Sequence, residues 1–207
     1  LFDMPRGVVY GTDASGRVDV IDQATGTIIK SYLLPNGANP IGIDLSPAGD
    51  EVAIAMNGLE AILFMDPVSG AEIARSTPQI SPSIYYANLP YDVIYGRSGR
   101  LYSDGNPEAV ASGIDYLHVF DTTTHTWLAK SSSALRYGAE LAITADKKYI
   151  YANETFLPNT IYVFDVQTDA INKLYEGPYG AVVASKFTIM PDGSKVFTSN
   201  GQVWSGN

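Results

Sequence analysis

The chain has 207 residues, of which 45% are hydrophobic and only 17% charged, which excludes a disordered tail and suffices for a buried core. Cysteine is absent, so a disulfide scaffold and a thiolate metal centre are both excluded. Lys and Arg total 13 against 22 Asp and Glu, a net charge of −9 that argues against binding a nucleic-acid backbone.

Short strands follow one another from the start of the chain. The first group is Gly7–Thr12, Arg17–Asp22 and Thr27–Leu33. The second is Ile41–Leu45, Glu51–Met56, Glu60–Asp66 and Ala71–Ser76. The third is Tyr91–Tyr95, Arg100–Ser103, Tyr116–Asp121 and Thr126–Lys130. The fourth is Glu140–Thr144, Tyr149–Asn153, Thr160–Asp165 and Ala170–Tyr175, and the last is Val183–Ile189, Lys195–Ser199 and Gln202–Trp204. Each is a run rich in Val, Ile, Tyr and Phe, closed by Gly, Asp, Asn or Pro, as in β-meanders. Ser133 to Ile143 alone has the look of a short helix, and the repeat places a strand there. No apolar run approaches the length of a membrane span; Val52 to Met56 is typical of the longest.

Two phrases alternate through these groups. One ends a strand on Asp before a turn, as in Ile21-Asp22-Gln23-Ala24-Thr25-Gly26 and Met65-Asp66-Pro67-Val68-Ser69-Gly70. Its Asp positions, 22, 66, 121 and 165, are 44, 55 and 44 residues apart. The other joins two apolar strands, as in Ser46-Pro47-Ala48-Gly49-Asp50, Thr144-Ala145-Asp146-Lys147-Lys148 and Met190-Pro191-Asp192-Gly193-Ser194. Four strands in about 45 residues is the period of a propeller blade, whose inner strands are apolar on both faces because a blade lies on either side. The reading is an all-β propeller of about five blades, near residues 1–37, 38–85, 86–137, 138–180 and 181–207, taken as one domain or a partial propeller.

The stretch Pro40 to Ala74, with its core Ile41-Gly42-Ile43-Asp44-Leu45-Ser46-Pro47-Ala48-Gly49-Asp50, resembles a repeat of the YVTN-type β-propeller family of surface-layer-like proteins. Tyr149-Ile150-Tyr151-Ala152-Asn153 and Val196-Phe197-Thr198-Ser199-Asn200 are similar to that family's signature strand; the third group departs from it most. The resemblance implies blades, not catalytic residues. The strands number 18, with three each in the first and last blade, so two architectures stay open: a fragment of a larger, seven-bladed propeller, or a closed five-bladed ring. The start at Leu1 reads as a processed protein or a piece of a larger one.

Candidate sites are few. The recurrent strand-end Asp residues read as turn caps that accept backbone N–H bonds. The insertion Asp104–Asp115 explains the 55-residue spacing and reads as a long, partner-contacting loop. Its Asp104, Asn106, Glu108 and Asp115 offer oxygen ligands to Ca²⁺, the one cofactor the sequence suggests. Tyr85 and Tyr86, in the proline-bounded segment Pro78 to Pro90, with Asn106, Glu108 and Trp127, form the candidate binding set. Tyr91, Tyr95 and Tyr102 are expected to pack between blades. His118 falls in a strand and His125 in a turn, with no evident metal partners. Asn153-Glu154-Thr155 is a glycosylation sequon. The expected function is a non-catalytic extracellular or cell-surface scaffold or recognition module for a protein or glycan. The alternatives are a lactonase-type propeller hydrolase, whose site would lie at the central axis, and a self-assembling surface protein in which further copies pair on open blade edges.

Overall fold

The computed structural model describes residues 1–77, 89–97, 99–105, 114–136, 138–154, 160–177, 186–190 and 192–205. Five antiparallel sheets follow one another along the chain, each a simple meander in which neighbours in sequence are neighbours in the sheet. Blade 1 holds β1 (Phe2–Asp3), β2 (Val8–Asp13), β3 (Arg17–Asp22) and β4 (Ile28–Leu33). Blade 2 holds β5 (Pro40–Leu45), β6 (Val52–Met56), β7 (Ala61–Met65) and β8 (Glu72–Ser76). Blade 3 holds β9 (Pro90–Tyr95), β10 (Arg100–Gly105), β11 (Ile114–Asp121) and β12 (Thr126–Arg136). Blade 4 holds β13 (Ala139–Ile143), β14 (Tyr149–Glu154), β15 (Ile161–Asp165) and β16 (Asn172–Glu176). Blade 5 holds β17 (Phe187–Ile189), β18 (Lys195–Thr198) and β19 (Val203–Ser205). Among the described residues the one helical turn is Asn57–Leu59. The chain is an all-β propeller of five blades.

Two expectations need correction. The first blade does not lack its innermost strand, because Phe2 pairs with Val9 and Asp3 with Val8 to form β1. Two residues are too few to show an alternating pattern. The outer strand of blade 3 also runs on to Arg136, since Ile114, Asp115 and Tyr116 of β11 pair with Arg136, Leu135 and Ala134. The third phrase's long spacing is therefore partly strand, not all loop.

The core lies between blades. Tyr10, Val18, Val20 and Tyr32 of blade 1 meet Ile54, Met56, Leu63 and Met65 of blade 2. Ala53, Ile62 and Phe64, on the opposite face of blade 2, meet Val93, Leu101 and Phe120 of blade 3. Every residue of β6 and β7 is buried, as a strand sandwiched between two neighbours requires. Leu117, Val119 and Leu135 then meet Ile150, Ala152 and Phe164 across the seam of blades 3 and 4. Among the described residues the seam of blades 4 and 5 is thinner, with Tyr151, Ile161 and Val196 buried. Strands of successive blades pack in the order 1 to 5, and among the described residues no comparable packing joins blade 5 to blade 1.

Candidate functional site

The repeated strand-end aspartates are turn caps. Asp66 Oδ1 accepts the backbone N–H groups of Val68 and Ser69 at 2.9 and 2.6 Å. Asp121 Oδ1 accepts those of Thr123 and Thr124, Asp22 that of Thr25, and Asp165 that of Gln167. The bonds hold the carboxyls of Asp22, Asp66 and Asp121 below the usual range, Asp22 chiefly through the Thr25 side chain and the other two chiefly through backbone N–H groups. Being saturated by their own turns, they are structural.

A second set of carboxylates stitches the innermost strands together. Such a strand has a partner on one edge only, so the N–H groups on its other edge need acceptors. Asp44 of β5 accepts the N–H of Tyr95 in β9 at 2.7 Å, and Asp92 of β9 accepts that of Leu141 in β13 at 2.8 Å. Glu140 of β13 continues the series with an ion pair to Lys186 at 3.2 Å, just before β17. Gly42 is required beside Asp92, because a Cβ there would overlap the Asp92 carboxylate and backbone. Burial, opposed by the hydrogen bonds from Leu141 and Val93, raises the Asp92 pKa to about 7; burial also raises that of Asp44.

Asp104, a proposed calcium ligand, belongs to this stitching. It is buried at the end of β10, where Oδ1 accepts the N–H of Asp92 at 2.7 Å and Oδ2 that of Ala139. Asp115 lies in β11, with its backbone paired to Leu135. Asn106 and Glu108 lie outside the described residues, as do Tyr85 and Tyr86. Among the described residues no group of three or more His, Asp or Glu side chains is placed to hold a metal ion.

Trp127 is half-buried against the seam of blades 2 and 3, and its Nε1–H donates to His118 Nδ1 at 3.2 Å. It is a packing residue there, not an exposed anchor. His125 Nε2 lies 2.6 Å from Glu51 Oε2, and Tyr95 donates its hydroxyl to Glu51 Oε1 at 2.7 Å, so His125 and Tyr95 tie blade 3 to Glu51 of blade 2. Tyr102 is wholly buried and donates its hydroxyl to the carbonyl of Val166 in the next blade at 3.2 Å. Asn153 is fully buried in β14, so a glycan on it has no room in the folded chain.

A cleft of about 620 Å³ lies between blades 4 and 5. Its aromatic walls are Tyr149, Tyr151, Tyr175 and Trp204, and Ile161 and Val163 line it too. Asp146 and Asp192, from equivalent turns, also line it. The sequence reading did not assemble this set. Its members come from four strands and two turns, and only sheet register brings them together. A second space of equal volume lies between blades 2 and 3, lined by Glu51, Arg97, Arg100 and Lys147; both arginines pair with Asp169 of blade 4, which does not line it.

No family model matches the chain, and no curated protein matches it in sequence. Solved structures do match it. Kuenenia stuttgartiensis hydrazine synthase aligns with a TM-score of 0.74 and 13% identity, over 92% of this chain and 51% of that one. The WD40 domain of Toxoplasma gondii coronin aligns at 0.71 and 12%, over 95% and 51%. The fold is a WD40-like β-propeller. A chain of the mitotic checkpoint complex also aligns with this propeller, at 0.70 and 16%, over 96% and 59%. The propeller chain thus spans about half the length of the structures it matches, and at these identities the likeness is one of fold.

Proposed function

We propose that this propeller is a non-catalytic recognition module of the YVTN type, displayed at a cell surface, that binds a protein partner. The observation that carries the reading is the use made of the axial carboxylates. Asp44, Asp92 and Asp104 accept backbone N–H groups across blade seams, where a lactonase-type hydrolase would need its polar groups turned toward a substrate. An aromatic cleft, none of whose lining residues is one of those carboxylates, offers a place for a partner. The likeness to a chain of an assembly, the mitotic checkpoint complex, supports a scaffold role.

Two measurements test it. The chain is assayed against a panel of lactones and esters, with Asp92→Asn as control, and the expected result is no turnover above background. Turnover that disappears in Asp92→Asn overturns the reading in favour of the hydrolase. Purified chain is also cross-linked in an extract of its source, and the cross-linked peptides are mapped. Cross-links to one partner, clustered on one face, are expected; a uniform scatter opposes the reading. Surface display is tested by protease accessibility on intact cells. The self-assembly alternative has one observation in its favour, the 58% and 87% exposure of Ile29 and Leu33 on β4. Sedimentation as a monomer at high concentration removes it.

A further inference from the structure

We propose that the cleft between blades 4 and 5 binds an extended segment of a partner protein through a lysine or arginine side chain. The inference rests on the recognition reading above and gives that reading a place and a chemistry.

The cleft lies where blade 1 has a space-filling tyrosine and where, among the described residues, no fourth strand of blade 5 covers blade 4; Ser76 at the same place in blade 2 shows that a small residue alone does not open it. In blade 1, Val20 pairs with Lys30 and Val18 with Tyr32, after a bulge between Val20 and Ile21. Tyr32 then packs over the Gly70 turn of blade 2 and donates its hydroxyl to the carbonyls of Pro67 and Val68 at 2.9 and 2.7 Å. Blade 4 repeats this register with the same bulge. Val163 pairs with Tyr175, and Ile161 accepts the N–H of Gly177 at 2.8 Å. Glycine therefore stands where blade 1 has its space-filling tyrosine. At the seam of blades 3 and 4 the outer strands β12 and β16 pack together, but blade 5 has three strands among the described residues and sets no fourth against β16. Leu174 and Tyr175 are left 58% and 50% exposed.

The chemistry of the opening is specific. A volume of about 620 Å³ lies in the range of sites that enclose a ligand. Four aromatic side chains present ring faces or edges to it, and aromatic faces attract cations. At its mouth Asp146 is already paired with Lys148 at 3.0 Å. Asp192 is not so paired. Its Oδ1 accepts the N–H and hydroxyl of Ser194 at 2.9 and 2.7 Å, and among the described residues no basic side chain forms an ion pair with it. Those bonds keep its carboxyl below the usual range, so it is ionised at neutral pH. A cationic head between Asp192 and the rings, with its aliphatic stem on Ile161 and Val163, satisfies both the charge and the apolar floor. The net charge of −9 favours approach of a basic segment.

The experiment uses the whole chain and two synthetic peptides, capped at both ends: a nine-residue alternation of valine and lysine, and its glutamate-for-lysine counterpart. Binding is read by calorimetry and by tryptophan fluorescence. Saturable binding of the lysine peptide is expected, with the glutamate peptide at least tenfold weaker. Asp192→Asn should weaken the lysine peptide about fivefold and Tyr175→Ala about tenfold. Both positions are exposed, and an unchanged thermal melt shows that the fold is intact. Equal binding of the two peptides, unchanged affinity in both variants, or no binding at millimolar peptide overturns the proposal. Failure here with clustered cross-links on another face leaves the recognition reading standing. Peptide binding together with Asp92-dependent turnover leaves the cleft standing and removes the non-catalytic reading.

Discussion

The Asp92 carboxylate accepts the backbone N–H of Leu141 across 2.8 Å, joining the innermost strands of blades 3 and 4. The two residues are 49 positions apart in the chain. Among the described residues neither strand has another strand on that edge, and side-chain acceptors, Asp92 at Leu141 and Asp104 at Ala139, replace a ladder of backbone bonds. Asp44 does the same for Tyr95 one blade earlier.

This stitch makes stability depend on pH near neutrality. Burial raises the Asp92 pKa to about 7, with Glu140 and Asp44 adding repulsion that opposes ionisation. The folded state thus holds the proton more tightly than the unfolded chain. Its contribution is fully present below the unfolded pKa of about 3.9 and is lost as pH rises through about 7. The turn-capping carboxyls run the other way, and their contribution disappears only below about pH 4. Between pH 5 and pH 8 the unfolding free energy of the wild-type chain should fall by about 2.7 kcal/mol relative to that of Asp92→Asn, from about two pH units at ~1.4 kcal/mol each. Urea titrations of both chains at the two pH values measure it. Parallel curves would show that Asp92 is ionised throughout.

Tyr102 spans the same pair of blades. Its ring fills the space beside Gly96 and its hydroxyl donates to Val166 O. Tyr102→Phe keeps the ring and leaves a buried carbonyl short of a donor, for a loss of about 1–2 kcal/mol. Tyr102→Ala empties the seam and costs about 3–5 kcal/mol. Denaturant midpoints at constant m-value separate the two, and equal losses would place the whole effect in the hydroxyl.

Arg100 reaches from β10 to the turn after β15. Its guanidinium donates to both carboxylate oxygens of Asp169, at 2.8 and 3.1 Å, and to Asp121 at 2.9 Å. Those bonds, Arg100 first, hold the Asp169 carboxyl below its ordinary range. Lysine cannot form the fork, so Arg100→Lys should lower stability by about 1 kcal/mol and let the Asp169 pKa rise toward the ordinary value. Carboxyl-carbon NMR titration of Asp169 reads the shift directly.

The sequence made the blades legible because local physics repeats in each. An Asp at a strand end followed by Thr, Ser or Gly two to four residues on is a complete turn, and Asp22, Asp66 and Asp121 make the bonds their local sequence implies. The unbroken apolar runs of β6 and β7 announce burial on both faces. What stayed hidden depends on register between distant strands. Phe2 and Asp3 carry no pattern of their own and become a strand only against Val8 and Val9. Ser131–Arg136 lacks alternation and is held by pairing with the start of β11. Asp104 reads as a loop ligand by composition, yet its place at the end of β10 turns it toward Ala139 of the next blade. The cleft was the least legible of all. Gly177 stands where the first blade has Tyr32, but Ser76 holds that place in blade 2, so the small residue alone does not mark the cleft in the sequence.

The Tyr32–Gly70 contact offers the sharpest test of how the blades lock. Gly70 closes the Asp66 turn with φ at 77°, in the left-handed region, and the Tyr32 ring lies where a Cβ would stand. Gly70→Ala therefore meets two penalties, the backbone strain and the overlap with the ring, and should cost about 2–4 kcal/mol. Tyr32→Ala removes a buried aromatic side chain and its two hydroxyl contacts, for about 3–5 kcal/mol. In the double variant the overlap is gone while the strain remains. The combined loss should then fall short of the sum by about 1–2 kcal/mol, a coupling expected only for residues in direct contact. Full additivity in the cycle would mean that the ring moves aside freely when a Cβ is added at position 70.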